Sequence, residues 1–170
     1  MKKISQEQWH QSMRGFFAGC LYNAMVDNPN MYLIVGDLGY AMFDKIRKDF
    51  PDRFLNTGAA ETSMMGIACG LALEGKIPIV YSITTFLLYR PFETIRNYIN
   101  HEKIPVKLIA SGRDKDYAHD GFSHDSTDAK RVLGLWENIN TYWPETKEEI
   151  PDIVDKIIKS GQPDFVSLRR

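Results

Sequence analysis

Glu61, Asp37, Asp120 and His124 are the ionisable side chains that the turns and loops after the apolar strands of this sequence could gather for chemistry. Glu61 follows the turn Gly58-Ala59-Ala60 and opens a helical pattern carried by Met64, Met65, Ile67, Ala68, Leu71 and Ala72. It stands at a strand-to-helix junction, in the first turn, with apolar residues closing in after it. The same residue reads equally as a first-turn acid that complements the helix dipole, worth ~0.3–1 kcal/mol. Asp37 stands in the turn Gly36-Asp37-Leu38-Gly39, directly after the apolar run Met31–Val35. Asp120 and His124 belong to a polar stretch, 112–126, rich in Asp and His. Phe86, Tyr89 and Phe92 form an aromatic group that taken alone reads as core packing.

Other chemistries find less support. His119, Asp120, His124 and Asp125 are potential metal ligands, but their spacing matches no standard site. No Gly-x-Ser-x-Gly elbow is present, and Cys20 and Cys69 both fall on apolar helical positions. There is no phosphate-binding P-loop, and the GDLG turn lacks the third glycine of the dinucleotide fingerprint.

The elements that must position these groups alternate. Ser5 and Gln8 make a capping box, followed by an amphipathic helix from Trp9 to Met25 that ends at Asp27-Asn28-Pro29-Asn30. Met31–Val35, Ile77–Ser82, Val106–Ser111 and Asp164–Leu168 read as strands, with a weaker one over Asn138–Trp143 and a short extended run at Phe54. Between them the pattern predicts helices over Met42–Phe50, from Glu61 to a stop at Gly75, from Pro91 to about His101, over Thr127–Leu135, and from the capping box Thr146/Glu149 to Gly161. Gly36–Ala41, Ser82–Tyr89 and 112–126 are then loops at the carboxyl ends of parallel strands, where open α/β sheets bind ligands. The expectation is a single α/β domain over residues 1–170, a doubly wound, mostly parallel sheet with helices on both faces.

Composition narrows the function classes. Twenty-one Lys and Arg against 22 Asp and Glu give a net charge of -1, with no basic cluster clear of acids, so a nucleic-acid surface is not expected. No apolar signal core or run of membrane-spanning length occurs, which makes a cytoplasmic protein with reduced cysteines the expectation.

The succession GDLG, FLNTGAAE, MMGIACGLALEGKIPIVYSITTFL, PFETIRNYI, VKLIAS and HDGFSHD resembles the pyrimidine-binding domain of thiamine-diphosphate enzymes. The resemblance runs in unbroken order from Met31 to Trp143. It is to the transketolase-like branch, which includes deoxyxylulose-phosphate synthase and the beta subunit of the pyruvate dehydrogenase first component. It implies that Glu61 hydrogen-bonds the cofactor's aminopyrimidine ring and promotes its imino tautomer. A carboxyl group in apolar surroundings is able to share a proton with a ring nitrogen, and the cofactor then supplies the nucleophile. Phe86 and Tyr89 match positions that pack on the pyrimidine, with Phe92 close behind, and Asp37 matches a turn near the cofactor pocket. Asp120 and His124 match positions that contact substrate hydroxyls or the reacting centre.

Departures from the family pattern matter as much. Its diphosphate and magnesium signature, Gly-Asp-Gly with a distal Asn, is absent, as is a third domain. Gly112 replaces the histidine that transketolases carry after VKLIAS, and Phe122 replaces the proline of the DGPTH motif. The implied protein is one subunit of a split enzyme. A separate chain is expected to hold the diphosphate and Mg2+ of thiamine diphosphate, in an α2β2 assembly that moves a two-carbon ketol unit between sugars. Two alternatives remain open. One is a 2-oxo acid decarboxylase or dehydrogenase subunit that anchors a carboxylate through Arg113 or Lys115. The other is a flavodoxin-like binding domain in which Glu61 merely caps a helix.

Overall fold

A computed structural model describes residues 1–170. The six strands are β1 (Met31–Val35), β2 (Phe54–Asn56), β3 (Ile77–Ile83), β4 (Lys107–Ser111), β5 (Asn140–Tyr142) and β6 (Asp164–Leu168). They form one sheet in the order β2-β1-β3-β4-β6-β5, and every pairing is parallel. Strand order reverses beside β1, so the carboxyl ends of β1 and β3 border the crevice in which such sheets hold ligands.

Parallel strands buried on both faces need apolar residues on both, and the continuous runs MYLIV and IPIVY supply them. Leu33, Val35, Ile79, Tyr81, Ile109 and Val166 pack into one core under α1 (Met13–Asp27) and α7 (Ile150–Lys159). Ile34, Val80, Leu108, Ala110 and Phe165 pack into a second core of similar size under α3 (Glu61–Leu73) and the helices after β3 and β4. The cores hold 23 and 20 buried residues, so neither face of the sheet is left to solvent.

Three local expectations are corrected. The Ser5–Gln8 capping box closes only a 3-10 turn, Gln6–Gln8, and α1 starts later, with Ser12 Oγ accepting from Gly15 N at 3.1 Å. Gly15 and Gly19 explain the delay. They open a groove on α1 into which residues 9 and 10 fold back, and a Cβ on Gly19 would stand 2.4 Å from the Trp9 ring. Trp9 therefore lies across the helix, edge-on to Phe16 at 5.4 Å, instead of within it. The expected loop Ser82–Tyr89 is β3 running through Ile83 and then a short helix α4 (Thr84–Tyr89), because Thr84, Thr85, Leu87 and Leu88 are all buried. The helix expected from Pro91 is a short α5 (Phe92–Thr94) continued as a π-helix over Ile95–His101, a wider winding that keeps Ile95 and Ile99 in the second core.

The amino edge of the sheet carries a buried ion pair that the sequence did not announce. Lys107 Nζ sits 2.7 Å from Asp164 Oδ2, with the two side chains 2% and 0% exposed. Lys107 Nζ also donates to Ser160 Oγ at 2.8 Å, and Asp164 Oδ1 accepts from Asn140 Nδ2 at 3.0 Å. Burial lowers the Lys107 pKa from its ordinary value, and the Asp164 carboxylate opposes that shift. The pair joins the first residues of β4 and β6, at the opposite end of the strands from the ligand crevice.

Candidate active site

Glu61 is 2% exposed and occupies the first position of α3. β2 delivers the chain to it through Thr57–Ala60, and Gly58, at φ +69, makes the turn that aims α3 back across the sheet. The carboxylate is held from two sides. Oε1 accepts from Ser82 Oγ, on β3, at 3.1 Å, and Oε2 accepts from Arg90 Nη1 at 2.6 Å. A Cβ at Gly36, the first residue past β1, would stand 3.3 Å from Oε1, so a side chain there would crowd the carboxylate. The ends of β1 and β3 and the start of α3 thus converge on one acid. Its surroundings are not purely apolar as expected, because a cation and a hydroxyl meet it directly.

Arg90 continues the cluster. Its guanidinium carbon lies 3.8 Å from the centroid of the Phe86 ring, and His124 meets the same ring edge-on at 4.9 Å. Glu61, Arg90, Phe86 and His124 are therefore linked in sequence by contact. α4 supplies Phe86, and the loop after β4 supplies His124. That loop is tied down by an antiparallel bridge between Asp114 and Ser126 and by Thr85 Oγ1, which donates to the Ser123 carbonyl at 2.7 Å. Its polar sequence folds into two 3-10 turns, Ala118–Asp120 and Phe122–His124. Phe122 on the second turn is 92% exposed, so the residue replacing the family's proline projects into solvent.

The other candidates are placed nearby without joining this chain of contacts. Asp37 is exposed at φ 56, its Oδ1 accepts from Tyr40 Oη at 2.5 Å, and its hydrogen bonds, first from Tyr40 and then from Asn56, hold its carboxyl below the usual range. Asn56 at the end of β2 ties the two turns together, accepting from both Asp37 N and Gly58 N at 3.0 Å. Tyr89 is half-buried and hydrogen-bonded to Asp128; burial first and that carboxylate second push its phenol up. Phe92 packs on Trp136 at 5.2 Å, against the second core. Asp120 is exposed, 3.4 Å from His119 Nε2.

Two residues that sequence reasoning passed over are Arg90 and Ser82. Arg90 gave a signal only as the one charge inside the run Leu87-Leu88-Tyr89-Arg90-Pro91-Phe92; Ser82 gave none. Arg113, a carboxylate anchor in one alternative, is not free to meet a ligand. Its guanidinium is 2% exposed, donating to Ser167 O at 2.7 Å, Pro144 O at 2.8 Å and Glu145 Oε1 at 3.0 Å.

Nucleophiles and metal ligands have little place here. Burial pushes the Cys20 thiol up to about 12 and the Cys69 thiol up to about 11. No three His, Cys, Asp or Glu side chains gather in a way that could hold a metal ion. No helix is long and apolar enough to cross a membrane. A cavity of about 610 Å³ opens on the α1 side of the β1 and β3 ends, lined among others by Trp9, Arg14, Tyr40, Tyr81 and Tyr117. Glu61 and Phe86 do not line it; they stand on the α3 side of the same ends. Arg14 Nη1 bonds Tyr117 Oη at 3.0 Å, while its buried Nε has no partner.

A parallel α/β sheet that brings a buried carboxylate and an aromatic ring to its carboxyl edge has them where open α/β sheets bind ligands. Residues 10–170 match the family described as transketolase, pyrimidine binding domain, and the chain belongs to that family. A putative transketolase C-terminal section from Methanocaldococcus jannaschii is 28% identical over 162 residues, covering 95% of this chain and 51% of the relative. An apulose-4-phosphate transketolase subunit from Actinobacillus succinogenes is 32% identical over 121 residues, covering 71% of this chain and 39% of the relative. The chain thus spans about half the length, or less, of these curated relatives. A solved structure titled split gene transketolase, inactive beta4 tetramer, superposes with a TM-score of 0.83 at 28% identity, over 94% of this chain and 52% of that one.

The niche fits an aminopyrimidine. With Arg90 turned away, Glu61 has an acceptor for a ring N–H and Phe86 a ring face, and the absent side chain at Gly36 leaves room beside Oε1. Truncating Phe86 to Ala is expected to weaken cofactor retention in the assembled enzyme by about 1–3 kcal/mol, the scale of one buried aromatic contact. Calorimetry on the reconstituted variant reads this directly, and an unchanged affinity would make Phe86 a packing residue only.

Proposed function

We propose that this chain is the pyrimidine-side subunit of a split, thiamine-diphosphate-dependent transketolase-like enzyme that transfers a two-carbon ketol unit between sugars. The observation that carries the reading is the buried Glu61 carboxylate at the start of α3, joined to the Phe86 ring through Arg90, in a chain of this family. When bound, thiamine diphosphate supplies the carbon nucleophile that receives and releases the ketol unit. Glu61 holds the proton shared with the ring nitrogen, and Ser82 fixes the orientation of its carboxylate through Oε1. Phe86 offers its face to the ring.

His124, in contact with Phe86, faces the reacting side, and with Asp120 it offers donors and acceptors for sugar hydroxyls. The engagement of Arg113 within the fold removes one of the two carboxylate anchors of the 2-oxo acid reading and leaves the exposed Lys115 as the other, and the names of the relatives support the sugar reading. The flavodoxin-like reading is disfavoured by the burial of Glu61 against Arg90, since a dipole-complementing acid needs neither.

A separate chain carrying Gly-Asp-Gly and a distal Asn holds the diphosphate and Mg2+, in an α2β2 cytoplasmic assembly. The names of the relatives, a transketolase section and a transketolase subunit, support this division. The chain alone is expected to bind thiamine diphosphate weakly or not at all. Calorimetry with magnesium checks this: affinity that appears only on adding the partner is the expected result. Micromolar binding by the chain alone would overturn the split-site reading.

A further inference from the structure

We propose that Arg90 is a built-in stand-in for the aminopyrimidine, which closes the Glu61 niche until cofactor displaces it; this rests on the reading of Glu61 given above. A guanidinium and an aminopyrimidine are both flat, both donate N–H groups in their own plane, and both stack on aromatic faces. In this chain the guanidinium does both things at once. Nη1 donates to Glu61 Oε2 at 2.6 Å, and the guanidinium carbon lies 3.8 Å from the Phe86 ring centroid. The acceptor and the aromatic face assigned to the ring are therefore already engaged.

The arrangement has a reason in the energetics of the free chain. The Glu61 side chain is 1% exposed, and a carboxylate so deeply buried needs a partner. Arg90 provides the charge and Ser82 only a hydroxyl. The Arg90 side chain remains 43% exposed, so it is able to leave by rotating about its own torsions. Its backbone need not move: the Arg90 carbonyl is held by Thr62 Oγ1 at 3.2 Å, which fixes the hinge of the swing to α3. A ring arriving with its own donor restores the Glu61 bond that Arg90 gives up, and the released guanidinium enters solvent.

Exclusive use of the seat makes cofactor and Arg90 competitors. If the closed form holds about nine-tenths of the molecules, the apparent cofactor affinity is lowered about tenfold, because only the open fraction is competent. Removing the side chain removes that factor.

The test is calorimetric titration of the assembled enzyme, chain plus diphosphate-binding partner, with thiamine diphosphate and magnesium. Wild type is compared with Arg90→Met and Arg90→Gln, and melting of each isolated chain checks the fold. Both variants are expected to bind about three- to tenfold more tightly, and their isolated chains to melt lower, because Glu61 loses its cation. Affinity that is unchanged or weaker in the folded variants overturns the stand-in role. Phenylglyoxal labelling of wild type at Arg90, read by mass spectrometry, covers the case in which neither variant folds. Labelling should rise when cofactor binds, and constant or reduced labelling overturns the proposal. If the wild-type assembly binds no cofactor at all, the reading of Glu61 falls and this inference with it. If wild type binds and the variants gain nothing, only the inference falls.

Discussion

Replacing Glu61 by Gln in the reconstituted enzyme is expected to slow turnover by about 10²–10⁴-fold, the range of a general acid–base contribution, while leaving the melt nearly unchanged. Gln has the same shape and keeps an acceptor for Ser82 Oγ, which now bonds Oε1 at 3.1 Å. Its amide nitrogen then faces Arg90, whose 43% exposed side chain is able to turn to solvent. What it lacks is an acidic proton to share with a ring nitrogen. If Glu61 served only the helix dipole, the change would cost ~1 kcal/mol of stability or less and spare turnover. Turnover and melting, measured on one preparation with excess cofactor, separate the two accounts.

The largest stability effect is expected far from that site. Asp164→Ala leaves the Lys107 ammonium buried, with side-chain exposure of 2%, and without its counter-ion. Breaking a buried pair from one side costs about 3–5 kcal/mol. For a domain of this size that is about 6–20 °C in melting temperature. Replacing both partners, Lys107→Met with Asp164→Leu, is expected to recover most of the loss, since no charge is then stranded. Because the pair joins the amino ends of β4 and β6, neither change should alter cofactor affinity in variants that fold. A double variant that melts as low as Asp164→Ala would show that the hydrogen bonds to Ser160 and Asn140, not the charge balance, hold this edge.

The two effects also mark what sequence can and cannot tell. β1, β3, β4 and β6 were legible because strands buried on both faces must be apolar without interruption, and MYLIV, IPIVYS, VKLIAS and DFVSL are nearly so. Glu61 was legible as the one acid at a strand-to-helix junction. The Lys107–Asp164 pair was not, because nothing in a strand such as VKLIAS says that its lysine points inward to an acid 57 residues away. The Glu61–Arg90 pair was hidden for the same reason: its partners are 29 residues apart and meet only through the crossover of α3 and β3. Local signals misled where tertiary packing overrode them. Trp9 has the right spacing for α1, yet Gly15 and Gly19 open a groove that draws residues 9 and 10 across the helix instead. The polar start of Ser82–Tyr89 concealed a helix, since Thr84 and Thr85 are buried by donating to backbone carbonyls at the end of β4 and in the loop after it.

Glu61 as the proton partner of the cofactor ring is measurable before any sugar is bound, through exchange of the thiazolium C2 proton for deuterium. In the assembled wild-type enzyme, quenched-flow exchange read by proton NMR should be faster than in Glu61→Gln by about 10²–10⁴-fold, the same factor as turnover. Equal exchange rates in the two proteins, both shown to be loaded with cofactor, would contradict the assignment of Glu61.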